Sequence, residues 1–179
     1  MTVLGGLQSL GWGRGWAVAL VFVSVLCEQL AAETLTGEVI GLADGDTITV
    51  LDSSNRQHKV RLSGIDAPEK TQPFGNRSTQ SLAKAVFRQT VTVEWQKVDR
   101  YGRIVGRVVL DGTDANLAQI EAGLAWHYVA YASEQAPAER EAYALAESQA
   151  RIQRRGLWQD REPIAPWAYR RAKRHGQHR

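Results

Sequence analysis

Apolar and polar positions alternate in short runs through the middle of this chain. Thr34 to Leu42, with Leu35, Val39 and Ile40, reads as a strand, and Ala43-Asp44-Gly45-Asp46 is a turn signal. Thr47 to Leu51 is β-branched and apolar, a second strand, and Ser53-Ser54-Asn55-Arg56 closes a hairpin to a third, Gln57 to Ile65. Pro68 and Pro73 mark a loop, after which the period changes. Leu82 with Val86, and Ala83 with Phe87, are i,i+4 pairs on one flank of a helix. Thr90 to Gln96 is a fourth strand with Val91, Val93 and Trp95 on one face, and Ile104 to Leu110 is a fifth. Asp111-Gly112 is a two-residue hairpin signal.

Asp114 is a helix cap, and the helix it opens runs through Ala122 to stop at Gly123. A last helix starts near Pro137, a good first-turn residue, and is expected to run to Gly156 with Tyr143, Ala146 and Ala150 on one side. Five short strands, a helix inserted after the third and two helices at the end give an α+β class. The pattern is consistent with a small closed barrel of oligonucleotide-binding type, although periodicity does not give strand order.

Both ends differ from this middle. Arg14 is the only basic residue before an apolar run from Trp16 to Cys27, and Leu30-Ala31-Ala32 offers small residues before Glu33. That is the layout of a secretory signal peptide over residues 1–32, with an uncleaved N-terminal anchor as the alternative. Twelve apolar residues fall short of the roughly 20 that a spanning helix needs. Cleavage after Ala32 would leave a mature chain with no cysteine, stabilised by its core or by bound ligand and exported to the periplasm or medium.

The sequence pI near 9.2 suggests a basic protein, but the charge is unevenly placed. Glu33 to Asp160, the expected globular domain, holds 15 Lys and Arg against 17 Asp and Glu, a net charge of −2. Residues 161–179 hold six basic residues and one acid, a net charge of +5. There Trp167 and Tyr169 interleave with Arg170, Arg171, Lys173 and Arg174, a composition suited to gripping nucleic acid or an anionic membrane surface, or to a solvated, disordered tail.

The chemistry-bearing residues gather at turns and strand ends. Asp46 follows a Gly-containing turn, and Asp66 ends a strand; with a carbonyl near Ala67 they offer hard oxygen donors to a cation such as Ca²⁺. Asp44-Gly45-Asp46 reads equally as a solvated turn. Without a His or Cys beside these acids, zinc is disfavoured. Glu69 follows Pro68, which holds it in a defined relation to Asp66, so one carboxylate can bind metal while the other takes a proton from water. Arg61 lies five residues before Asp66, hence on the opposite face of a regular strand; the two meet only if the strand twists, or bulges near Ser63-Gly64. Arg103 follows the turn Tyr101-Gly102, and its planar fork suits phosphate oxygens as well as an ion pair with Asp99. His58 and His127 are lone histidines without ligand spacing, and Phe87, Trp95 and Trp158 are expected in the core.

From Gly37 to Trp158 the chain resembles the staphylococcal-nuclease-like (thermonuclease) family. The resemblance rests on Asp44-Gly-Asp-Thr47, Arg61 with Asp66-Ala-Pro-Glu69, Asp99-Arg-Tyr-Gly-Arg103, the Asp111-Gly112 hairpin, Gly123-Leu124-Ala125 and Gly156-Leu157-Trp158. It implies a five-stranded oligonucleotide-binding barrel with three helices. It also implies Ca²⁺ on Asp46, Asp66 and the Ala67 carbonyl, Glu69 activating water, and Arg61 with Arg103 on the scissile phosphate. Arg100 and Tyr101 match positions touching the neighbouring phosphate, and Tyr131 matches one of two tyrosines packed on the substrate base. The chain departs from the type member at Ala67, where that protein has threonine, at Val129, which replaces the second tyrosine, and in a short loop Lys70 to Asn76. The implied function is a Ca²⁺-dependent endonuclease on DNA and RNA, preferring single-stranded or melted sites and leaving 3′-phosphate ends. The signal pattern makes it exported, and with nothing suggesting an exposed apolar interface a monomer is expected. The alternative is a non-catalytic barrel that only binds nucleic acid.

Overall fold

In the computed structural model, which describes residues 33–176, the β-branched runs become a closed barrel. The expected signal segment lies outside the described residues. Strand β1 (Glu33–Leu42) pairs antiparallel with β2 (Thr47–Asp52), and β2 with β3 (Gln57–Leu62). On its other edge β1 pairs with β5 (Thr90–Val98), which pairs with β6 (Ile104–Leu110). A parallel pairing of β3 with β6, Val60 opposite Ile104 and Arg61 opposite Val105, closes the ring. Irregularities between Val39 and Gly41 and between Trp95 and Lys97 bend β1 and β5, as closure of so few strands requires. The inward positions Val39, Ile48, Val50, Val60, Leu62, Val93 and Val108 are essentially sealed from solvent.

Three helices cover the barrel. α1 (Gly75–Val86) buries Leu82 and Val86, and α2 (Ala115–Glu121) buries Ile120. α3 (Pro137–Ile152) has its proline in the first turn and buries Tyr143, Ala146 and Ala150. Asp114, in the short strand β7 (Thr113–Asp114), caps α2 by accepting from the amides of Asn116 and Leu117. Asp111 and Gly112 both take positive φ, 48° and 78°, the geometry of a tight two-residue hairpin between β6 and β7.

Three expectations need correction. The third strand does not continue to Ile65: it stops at Leu62, turns at Ser63-Gly64 with Gly64 at φ +70°, and resumes as β4 (Ile65–Asp66). β4 pairs with β8 (Trp126–His127), Asp66 opposite Trp126. The last domain helix ends at Ile152, not Gly156, because Arg154 turns left-handed at φ +50° and the Arg155 amide closes back on the Ala150 carbonyl. That reversal sends Leu157 and Trp158 into a second cluster with Ala150. Phe87, expected in the core, caps α1 at 42 % exposure with the Arg88 guanidinium over its ring.

The basic stretch is also structured. Pro166–Gly176 forms a fourth helix, α4, and its Trp167 packs on Trp126 and Tyr128, 5.5 and 5.4 Å between ring centroids. Trp167 and Tyr169 thus face the protein's own surface, while Arg171, Lys173 and Arg174 are exposed.

Candidate active site

Two buried side-chain amides on α2 set the positions of the acid-bearing loops. Gln119 Nε2 donates to the Gly45 carbonyl at 2.9 Å and the Ser78 carbonyl at 3.0 Å, tying the Asp44–Asp46 turn to α1. Gly45 is required there because a Cβ would run into the Ser78 side chain. Asn116 Nδ2 donates to the carbonyls of Ser63, 3.0 Å, and Gly106, 3.2 Å, while its Oδ1 accepts from the Val108 amide, pinning the break between β3 and β4. Neither amide carries a sequence signal, since both look like ordinary polar residues on a short helix.

These supports converge Asp46, Arg61 and Asp66. Arg61 Nη1 donates to Asp46 Oδ1 and Nη2 to Asp66 Oδ1, each at 3.1 Å. Asp46 also accepts from Thr47 Oγ1 at 3.0 Å and, through Oδ2, from the Ala67 amide at 2.9 Å. Asp66 is fully buried and Asp46 nearly so. Burial pushes the Asp46 carboxyl above its ordinary range against the opposing pull of Arg61. For Arg61, burial works against the charge, but Asp46 and Asp66 outweigh it and hold the guanidinium more firmly protonated. Asp44 serves the turn, its Oδ1 accepting from the Asp46 amide at 3.1 Å.

Glu69 stands at the head of a tight loop. Its amide donates to Gln72 Oε1 at 3.2 Å and its carbonyl accepts from the Gln72 amide at 2.8 Å. The carboxylate is reached by a residue that sequence reasoning placed in a tail: Arg170 Nη1 donates to Glu69 Oε1 at 2.8 Å and to Asp66 Oδ1 at 3.1 Å, and Nη2 to Asp66 Oδ2 at 2.7 Å. The helical spacing of Trp167 and Arg170 after Pro166 was the available signal.

Arg103 stands apart from this network. It precedes β6, whose Ile104 pairs with Val60 one residue before Arg61, and the alternation of buried positions puts Arg61 and Arg103 on the same outward face. Its guanidinium is held by Asp99, Nε at 2.8 Å and Nη2 at 2.7 Å on Oδ2. Burial raises the Asp99 carboxyl, but hydrogen bonds from Arg103 and from the Tyr101 amide outweigh it and leave Asp99 below the usual range. Arg100 and Tyr101 are exposed on the same turn, the Arg100 guanidinium 4.9 Å from the Tyr101 ring. Tyr131 is half exposed, 5.3 Å from the Tyr128 ring and 4.8 Å from Lys97 Nζ. His127 and His58 are structural: His127 is buried against Gln135 Oε1 at 2.9 Å and His58 meets Asp52 at 2.8 Å.

Asp46 and Asp66 meet through Arg61, and with the Ala67 carbonyl next along the chain they are oxygen donors of the kind that suits a hard divalent cation. Among the described residues no three His, Cys, Asp or Glu side chains converge closely enough to hold a metal by themselves, so the backbone carbonyl, water or substrate must complete such a shell.

Known proteins resemble this chain in sequence. Residues 59–160 match the family described as Staphylococcal nuclease homologue. An "Uncharacterized endonuclease" of Escherichia coli is 41 % identical over 150 residues, covering 83 % of this chain and 90 % of that protein. A "Micrococcal nuclease" of Shigella flexneri is 42 % identical over 166 residues, 87 % and 91 % of the two chains. The "Staphylococcal-like nuclease CAN1" of Arabidopsis thaliana is 39 % identical over 121 residues, 68 % of this chain and 36 % of that protein. With the barrel and the spacing of Arg61, Asp66 and Glu69 all inside or beside the matched region, the chain belongs to the staphylococcal nuclease homologue family.

Proposed function

We propose that the protein is a Ca²⁺-dependent endonuclease that hydrolyses phosphodiester bonds of DNA and RNA. The observation that carries this reading is the network in which Arg61 bridges the buried Asp46 and Asp66, and Arg170 links Asp66 to the Glu69 carboxylate. The family and its nuclease relatives support the same activity.

In this reading Asp46, Asp66 and the Ala67 carbonyl would hold the cation, and Ca²⁺ there would supply charge neutralisation and polarisation of the phosphodiester. Glu69 takes the proton from a water aimed at phosphorus, and the 5′-oxygen leaves, giving a 3′-phosphate end. Arg61 exchanges part of its contact with the aspartates for a phosphate oxygen as negative charge develops there. Arg103 meets a second oxygen with the part of its fork that Asp99 leaves open. Arg100 and Tyr101 contact the next phosphate, and Tyr131 packs on a base, which favours single-stranded or melted substrate.

We place the protein outside the cytoplasm, exported on the pattern of residues 1–32. Among the described residues no helix is long and apolar enough to cross a membrane. The test of this function is degradation of single-stranded DNA and of RNA with added Ca²⁺, with analysis of the product ends. Calcium-dependent cleavage leaving 3′-phosphates is expected. Tight binding without cleavage would instead favour a nucleic-acid-binding barrel.

A further inference from the structure

α4 lies beyond the region that matches the family, yet it delivers a guanidinium to the centre of the site. Arg170 is the only hydrogen-bond partner of the Glu69 carboxylate among the described residues, and it also engages both oxygens of Asp66. We propose that Arg170 is a positioning residue of the nuclease site, bridging Asp66 and Glu69 and fixing the distance and orientation of the two carboxylates. This inference rests on the nuclease reading given above.

The argument begins with repulsion. Asp66 is buried at the end of β4, and Glu69 follows three residues later on a loop with its side chain 36 % exposed. Two carboxylates so close in the chain repel, and a long exposed Glu side chain has many rotamers that point away. A planar fork bonded to both holds them together, which a single-point cation does poorly.

The anchoring of α4 matches this role. One turn before Arg170, Trp167 packs on Trp126, whose backbone pairs with Asp66 in the small β4–β8 sheet. On the other side, Tyr169 Oη lies 3.0 Å from Thr71 Oγ1, and Gln72 Nε2 donates to the Ile164 carbonyl. Thr71 and Gln72 belong to the loop that carries Glu69. The helix is therefore fastened to both banks of the gap that Arg170 spans, to the Asp66 side through an aromatic contact and to the Glu69 side through hydrogen bonds. A plug formed by the whole helix would need all of these contacts to break at each turnover. With α4 held in place, only the Arg170 bonds to Asp66 have to be shared when Asp66 takes up the cation.

The experiment compares wild type, Arg170→Ala, Arg170→Lys and, as a charge control from the exposed residue before the helix, Arg161→Ala. Kinetics are measured on a single-stranded oligonucleotide with Ca²⁺, and crystal structures of wild type and Arg170→Ala give a readout independent of activity. Positioning predicts that Arg170→Ala lowers kcat about 10- to 100-fold with KM changed less than about threefold. Arg170→Lys should recover only a minor part of that loss, and Arg161→Ala should stay within about twofold of wild type. The Glu69 carboxylate should swing away from Asp66 in the Arg170→Ala crystal. An unchanged kcat, a loss confined to KM, or a Glu69 that stays in place would overturn the proposal. So would a raised kcat, the mark of an autoinhibitory plug. Should Arg170→Ala fail to fold, Arg170→Lys carries the same comparison in kinetics and in the crystal. Should wild type itself not cleave, the nuclease reading fails, and the position of Glu69 in the crystals still decides the bridging role.

Discussion

Arg61 reaches Asp66, five residues further along the chain, at 3.1 Å because Gly64 turns the backbone between them. At φ +70° Gly64 occupies a left-handed conformation, and a Cβ there would press on the Gln135 side chain and on the Tyr143 ring. A regular strand would put the two side chains on opposite faces. Replacing Gly64 by Ala should therefore cost about 1–3 kcal/mol in a denaturant titration and lower activity with it. A neutral Gly64→Ala would mean that the turn relaxes without disturbing the site.

The two amides of α2 carry a separate prediction. Asn116 is fully buried and its side chain satisfies the Val108 amide and the carbonyls of Ser63 and Gly106. Asn116→Ala leaves the Val108 amide and the Ser63 carbonyl without this partner, while the Gly106 carbonyl keeps the Ser63 amide, and a loss of about 2–4 kcal/mol is expected from urea unfolding. Gln119→Ala should cost a similar amount, because the Gly45 carbonyl loses the Gln119 donor and the Ser78 carbonyl is left with only its helical one.

Turnover and folding should separate at Glu69 and Arg103. Glu69 is partly exposed and Arg103 lies on the outer face of the barrel, so neither supports the core. Glu69→Gln should reduce kcat about 10²- to 10⁴-fold. Arg103→Ala should likewise lose most turnover, and both variants should keep the wild-type circular dichroism spectrum. Near-normal turnover in either would remove that residue from its role.

Acid should loosen the Asp99 turn. Its folded-state pKa lies below the ordinary value, so its contribution to stability is present above the unfolded-state pKa and disappears as pH falls through the lower folded one. Wild type should thus exceed Asp99→Asn in stability at neutral pH, with the two curves converging in acid. A stability gap that persists to low pH would assign the effect to something other than the carboxylate charge.

Turn chemistry made most of the barrel readable. Asp111-Gly112, the Asp114 cap and Pro137 at the head of α3 are local signals that tertiary context does not override. The β3–β4 break was only half visible, since the apolar run through Ile65 masks a glycine whose conformation is held by Asn116, 52 residues away. Gln119 had no signal at all, because its partners are backbone carbonyls. α4 was obscured by its charge: six basic residues in 161–179 look solvated until the acids they face are known, and Asp66 and Glu69 lie about a hundred positions earlier. Pattern reading found the acids and arginines through their spacing within the domain. A contact of that separation depends on the fold.

The most direct test of the central claim is cleavage of a labelled single-stranded DNA by wild type and Glu69→Gln, each with Ca²⁺ and with chelator in its place. Rapid cleavage is expected from wild type with Ca²⁺, and almost none from the other three reactions. Cleavage by wild type that persists in chelator, or equal cleavage by Glu69→Gln, would contradict the account.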